Sequence, residues 1–302
     1  MSVLPNTTIE ISHELFCMLK GYSCVQNNEG CSPAIIFHCK KEEEEFYLKA
    51  EQSDGEIKRE HDIIKWLNGR LPVPEIKYFD EYNGWSFLLM TAAKGYKTGI
   101  SDSVCEPYEK TLKLVADGLL MVQNVDIADC PFIMNYDVKF QIALHNIETN
   151  YIKLFDSYKI KNTYFENYTY VDTYDLDESN KSFETSTEFY DWLLKNKPSP
   201  QEKRCFSHGD YGLPNTFIDG NAVTGFIDMG GGGIYCSKWY DIAICIRSIG
   251  YHSRNTDEMK KYVDVLFQRL GIAPDWDKIN YHIWLDRLVG MNKSNENIFD
   301  IA

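Results

Sequence analysis

Positive charge is in short supply: 31 Lys and Arg stand against 45 Asp and Glu over 302 residues, a formal net charge of −14. That speaks against a nucleic-acid partner, because phosphate contacts need clustered basic side chains. It also speaks against binding to an anionic membrane surface. A cationic small molecule is the ligand class such a charge would draw in. No stretch approaches the ~20 apolar residues of a membrane span. Residues 1–10 have neither the basic start nor the apolar run of a signal peptide, so none is expected. The nine cysteines, spread from Cys17 to Cys245, include no Cys-x-x-Cys pair, so zinc-ribbon and thioredoxin spacings are missing. Buried free thiols in a reducing cytoplasm are expected instead. The seven histidines are dispersed with no His-x-His, which weakens a metallohydrolase reading through His208 and Asp210. Nothing implies a protein partner.

Hydrophobic residues make up 44% of the chain and aromatics 14%, enough for a sizeable core without disulfides. The length suggests two lobes. Residues 34–39 and 46–50 read as strands on either side of the charged tip 40–45. Residues 58–67 read as a helix with Ile63, Ile64, Trp66 and Leu67 on its apolar face, broken by Leu71-Pro72-Val73-Pro74. Two more strands, 76–79 and 85–91, flank an Asn83-Gly84 turn. Beyond Pro107 the period turns helical, at 108–122, 138–155, 187–194, 257–270 and 277–289. The expected fold is α+β: an antiparallel sheet lobe with one helix over residues 1–93, and a mainly helical lobe over 94–302. A cleft between lobes is where ligands commonly bind.

Chemistry concentrates in Ser207-His208-Gly209-Asp210-Tyr211-Gly212-Leu213-Pro214-Asn215 and in the hairpin that follows. Pairing 216–218 with 223–227 across Asp219-Gly220-Asn221 folds Asn215 and Asp228 back beside each other, with Asp210 on the approach loop. Each of these alone reads as a turn-forming residue. Together they suit phosphoryl transfer. Asn215 and Asp228 are hard oxygen ligands for Mg²⁺, and Asp210 is placed to take the proton of an attacking hydroxyl. On strand 46–50, Tyr47 and Lys49 share a face. Lys49 suits the α/β-phosphates, Tyr47 the adenine ring, and Glu60 on the next helix would hold Lys49, in the kinase order. Ser32, in a turn with a single glycine at 28–33, is a further nucleotide candidate. So are Met90, Thr91 and Ala93, where strand 85–91 ends in small residues.

Tyr47-Leu48-Lys49, Arg59-Glu60, Leu71-Pro72-Val73-Pro74, Asp129-Cys130-Pro131, Phe206 to Asp210, Gly225-Phe226-Ile227-Asp228, Lys238-Trp239-Tyr240-Asp241 and Arg247-Ser248-Ile249 resemble the aminoglycoside 3′-phosphotransferase family in register from about Ile11 to Leu288. The resemblance implies a protein-kinase-like two-lobe fold, ATP (or GTP) as donor, two Mg²⁺ ions, and a small cationic hydroxylated acceptor. It makes Asp210 the catalytic aspartate, Asn215 and Asp228 the metal ligands, and Lys49 with Glu60 the phosphate-binding pair. Departures fall on the acceptor side. Leu213 stands where the family tends to have an acid, Gly231 where it has Arg, and Arg287 where it has an acid. Asp286 remains as an amine-binding candidate. Asp172, Asp175, Asp177 and Glu178, in the acidic stretch 158–184, could compensate. A kinase for another hydroxylated molecule, such as a peptide or nucleoside antibiotic or a choline-like metabolite, and a nucleotide-binding protein without turnover are the alternatives. A protein kinase is disfavoured, since Trp239-Tyr240-Asp241 follows Asp228 too soon for a regulatory loop.

Overall fold

The computed structural model describes residues 2–27, 34–53, 55–99, 108–149, 185–199 and 202–289. The first part of the chain supplies two short paired strands, β1 (Ser2–Val3) and β2 (Glu10–Ile11), and helix α1 (His13–Leu19). A five-stranded antiparallel sheet follows. It is built from β3 (Ser23–Asn27), β4 (Ile35–Lys41), β5 (Glu44–Gln52), β6 (Ile76–Tyr82) and β7 (Trp85–Thr91), in the order β3-β4-β5-β7-β6. Period-two alternation sorts its faces. Phe37, Leu48, Ala50, Phe87 and Leu89 pack with Leu4, Ile9, Ile11 and Leu15 in one core. Leu88 and Met90 turn the other way, into the main core of the molecule. Lys49 is out of phase with Leu48, so it shares that second face, where α2 (Ile57–Leu67) lies.

Helix α2 has no capping side chain of its own. Glu51, at the end of β5, does that work from outside, accepting the Glu56 N–H at 2.8 Å and the Ile57 N–H at 3.3 Å. Satisfying these first-turn donors fixes where the helix begins relative to Lys49. Its apolar residues Ile57, Ile63, Ile64 and Leu67 then join Leu112, Leu119, Phe226 and Ile242 in the main core. The sheet lobe and the helical lobe are thereby welded through α2.

The helical lobe holds α3 (Tyr108–Gln123), α4 (Tyr136–Glu148), α5 (Ser186–Lys195), α6 (Trp239–Tyr251), α7 (Thr256–Leu270) and α8 (Trp276–Val289). α3 packs on α7, and α8 packs on both α4 and α6. Asn135, Thr185 and Asn255 cap α4, α5 and α7 with side-chain oxygens, and Gly271 ends α7 at φ 67°. Small strands lie on its cleft side. β8 (Tyr96–Lys97) pairs with β10 (Thr216–Asp219), which pairs with β11 (Ala222–Phe226). β9 (Cys205–Ser207) pairs with β12 (Gly233–Tyr235).

Two expectations need correction. The helix expected over 138–155 is α4, which closes at Glu148, and 150–155 lie outside the described residues. Cys24 and Cys39 are not free thiols. They sit opposite each other in the β3–β4 register, with Cα atoms 4.0 Å apart, and are joined as a disulfide. Strand pairing brings them together, which spacing along the chain does not reveal. Cys205 and Cys245 are the buried free thiols expected, and Cys17 is exposed.

Candidate active site

Lys49 is the centre of the cleft's charge. Its Nζ lies 2.7 Å from both Glu60 oxygens and 2.6 Å from Asp228 Oδ1. The three residues come from β5, the first turn of α2 and the loop after β11. Burial by itself would push the lysine pKa down, but the Asp228 and Glu60 carboxylates outweigh it and raise it. Asp228 is held low by the same ion pair against burial, while burial keeps Glu60 high despite Lys49. Asp228 occupies the left-handed region at φ 58°, ψ 49°, an uncommon setting for a non-glycine residue. Arg59, beside Glu60, donates from Nε to the Gly230 carbonyl at 3.0 Å and from Nη2 to the Gly232 carbonyl at 2.6 Å. Helix α2 is thus bolted to the loop that presents Asp228.

The second segment is the loop after β9. Asp241, in the first turn of α6 and 2% exposed, accepts from Ser207 Oγ at 2.8 Å, from the His208 N–H at 2.8 Å and from the Gly209 N–H at 3.1 Å. One carboxylate therefore sets the backbone that leads into Asp210. Gly209 has φ +85°, and a Cβ there would fall 2.0 Å from the Gly231 carbonyl oxygen. Only glycine lets this loop approach the Asp228 loop so closely. Asn215 donates from Nδ2 to the Asp210 carbonyl at 2.9 Å and to Asp210 Oδ2 at 3.0 Å, which leaves its own Oδ1 for a ligand. The Ile227 N–H bonds the Asn215 carbonyl at 3.0 Å, so the hairpin closes with Asn215 one residue from the Asp228 backbone. Asp210 opens to solvent at its rim. Burial of its protein side and the nearby Asp286 raise its pKa, against Arg247 and the Asn215 amide.

Of the residues expected to border a nucleotide, Tyr47, Met90 and Thr91 lie on neighbouring strands of the five-stranded sheet. Tyr47 pairs with Met90 and lies two residues from Lys49, and its ring stacks on His38 at 4.9 Å. The Thr91 N–H is bonded to the Glu75 carbonyl at 3.0 Å. Ala93 passes close to β11, where a Cβ on Gly225 would lie 3.1 Å from the Ala93 Cβ.

The acceptor side is arranged differently. Asp286 is 5% exposed, and both its oxygens are engaged: Tyr240 Oη donates to Oδ1 at 2.5 Å and Arg247 Nη1 to Oδ2. Leu213 is fully buried in the main core. Ser32, Asp172, Asp175, Asp177 and Glu178 lie outside the described residues. Sequence reasoning gave no role to Arg59, Asp241, Tyr240 or Arg247, although all four lie in quoted motifs, and it passed over Lys139 on α4. Among the described residues, no group of three or more His, Cys, Asp or Glu could hold a metal ion. An Asn–Asp pair that shares its ion with phosphate oxygens needs no such group.

Comparison with known proteins follows the same lines. A model of the phosphotransferase enzyme family matches residues 24–280. The chain is 36% identical to an aminoglycoside 3′-phosphotransferase of Enterococcus faecalis and 35% to one of Staphylococcus aureus, each over 93% of this chain and 98% of the relative. Among solved structures, an aminoglycoside-3′-phosphotransferase of type VIII aligns with a TM-score of 0.69 at 19% identity, covering 91% of this chain and 96% of that one. Aminoglycoside phosphotransferase APH(3″)-Id of Streptomyces rimosus, solved with ADP and streptomycin, aligns at 0.66 and 19%, covering 93% and 99%. The fold is that of these kinases.

Proposed function

The chain belongs to the phosphotransferase enzyme family, and on that premise we propose that it transfers phosphate from ATP to a hydroxyl of an aminoglycoside, so inactivating the antibiotic in the cytoplasm. The observation that supports this best is the convergence of Lys49, Glu60 and Asp228 beside the Asp210–Asn215 pair. Lys49, fixed by Glu60, meets the phosphates of the nucleotide. Tyr47, Met90, Thr91 and Ala93 border the adenine, with GTP an alternative donor. Asp210 accepts the proton of the acceptor hydroxyl as it attacks. Asn215 and Asp228 would hold Mg²⁺, two ions by family resemblance. When bound, the metal neutralises charge on the phosphate oxygens.

A second acceptor class is favoured by one observation: the saturated Asp286 and buried Leu213 leave fewer acids for amines than a polycation would use. That reading is a kinase for a less basic hydroxylated antibiotic or metabolite. The test is ATP-dependent product formation, read by mass spectrometry, across kanamycin, neomycin, peptide and nucleoside antibiotics and choline. Phosphorylated kanamycin or neomycin supports the first reading. Product only from the other compounds overturns it in favour of the second. No product from any compound overturns both.

A further inference from the structure

Lys139 is 2% exposed, lies in the interior face of α4, and forms no ion pair among the described residues. Its Nζ sits 3.8 Å from the centroid of the Tyr240 ring. Tyr240 Oη bonds Asp286, and Asp286 holds Arg247, whose charge acts on Asp210. The residue after Tyr240 is Asp241, the carboxylate that sets the backbone of 207–209. Among the described residues, Asp241 is bonded by N–H and O–H donors and makes no ion pair. A buried carboxylate in that position needs a counter-charge.

We propose that Lys139 is a positioning residue of the phosphoryl-transfer centre: its buried ammonium is the counter-charge for Asp241 and Asp286, and so holds both the loop leading to Asp210 and the Arg247 guanidinium in place. The inference rests on the kinase reading of Asp210. The charged groups facing Lys139 fit the role. Asp286 and His282 face it from α8, Tyr240 and Asp241 from α6, Asp210 from the loop, and Arg59 from α2. Of the ionisable groups of α5, Glu188, Asp191 and Lys195 are exposed, and Tyr190 is half-buried with its ring against Phe140 of α4, its pKa raised by burial. Burial lowers the Lys139 pKa to about 8, against the pull of Asp286, Asp241 and Asp210. Its positive charge is therefore lost within the working range of pH. Arg59 at about 10 and Tyr240 well above 10 titrate higher, and His282 at about 4 lower.

The experiment compares wild type, Lys139→Met, Lys139→Gln and Lys139→Arg in three measurements. ADP affinity by calorimetry should stay within about threefold in all four, because among the described residues Lys139 makes no contact with Lys49, Glu60 or Asp228. kcat at pH 7.5 should fall about 10- to 100-fold in the Met and Gln variants and recover to within about threefold in Arg. The wild-type kcat should decline as pH rises through about 8, and Lys139→Arg, which stays charged, should lack that limb. Amide exchange at 207–209 should quicken about tenfold or more in the neutral variants. Neutral variants with unchanged exchange at 207–209 or with kcat within about twofold of wild type would overturn the proposal. So would an alkaline limb that persists in Lys139→Arg. If the wild type neither binds ADP nor forms product, the kinase reading fails instead, and amide exchange still decides the part played by Lys139.

Discussion

Two halves of one cleft solve the problem of buried charge in different ways. On the side proposed for the nucleotide, Lys49 is ion-paired to Glu60 and Asp228; Glu60 is as buried as Asp286, but Asp228 stays open, with 44% of its side chain exposed. On the acceptor side Asp286 is sealed behind Tyr240 and Arg247, Lys139 is sealed against Tyr240, and Leu213 is in the core. The first half thus keeps one open carboxylate beside its ion pair, whereas in the second Asp286 is spent on holding Tyr240 and Arg247. A triphosphate always offers the same oxygens, and the family resemblance read from the sequence is firmer in the motifs proposed to meet it. The acceptor half faces a ligand that varies, and two of the departures that the resemblance implies, Leu213 and Arg287, belong to its proposed side.

The largest effect expected falls where the halves meet. Asp210→Asn keeps the hydrogen-bonding shape beside Asn215 but removes the proton acceptor. kcat should drop by about 10³-fold with ADP affinity unchanged. Steady-state kinetics showing a kcat within about tenfold of wild type would dissolve the assignment, and with it the boundary between the two halves.

The next effect sets the frame of the acceptor half apart. His282 is fully buried on α8, 3.0 Å from Tyr136 Oη, with Nδ1 2.6 Å from the Lys278 carbonyl. Burial lowers its pKa to about 4, against about 6.5 in an unfolded chain. Between these values the unfolded state binds the extra proton. Stability conferred by the neutral ring is therefore full above about pH 6.5 and is lost as pH falls toward 4, by up to about 3 kcal/mol. Lys49 does not titrate in this window, since its pKa is raised. Denaturant melts from pH 7 to 4.5 should show the loss, with amide exchange rising first in α4 and α8. A His282→Gln variant with the same pH slope would assign the loss to another group.

Lys49→Ala should act on the other half alone. Removing a charge that meets phosphate in both ground and transition states should raise KM for ATP about 10- to 30-fold and leave the acceptor KM within about twofold. A mutant impaired only in acceptor KM would mean that the two halves are not separable at Lys49.

How much of this the sequence disclosed follows from what kind of signal each feature emits. The Asp210–Asn215–Asp228 geometry was legible because Asp219-Gly220-Asn221 fixes the β10–β11 register, and register fixes the ends. Lys49 and Glu60 were legible because strand and helix periods place them on facing surfaces. Helix α6 was not read as a helix: Trp239 to Ile246 are all buried, so the run shows no solvated polar stripe. Lys139 was invisible for the opposite reason: a lysine in a helix reads as a solvated residue until the packing of α4 against α8 encloses it. Asp286 was found, but that both its oxygens are engaged depends on contacts across 39 and 46 residues of chain. Cys24 and Cys39 needed the strand pairing.

The smallest effect tests whether the acceptor half could be turned back toward a polycation. The resemblance implies a missing acid at two positions, Leu213 and Arg287, and they are not equivalent. Leu213 has no exposed surface and packs in the main core, so Leu213→Asp buries a carboxylate without a partner. It should destabilise the fold by about 3 kcal/mol or more before it can help any ligand. Arg287 is half-buried in the last turn of α8, next to Asp286. Arg287→Glu changes the local charge by two units at a site that solvent reaches. KM for kanamycin should fall about three- to tenfold at low salt. The gain should shrink at high salt, as the Debye length drops from about 8 Å at 0.15 M to about 3 Å at 1 M. KM for ATP should not move. An unchanged kanamycin KM at low salt would mean that Arg287 lies beyond the reach of the acceptor's amines. The acid implied at that position would then have no bearing on specificity, and the difference between the halves would rest on the buried Asp286, Arg247, Lys139 and Leu213.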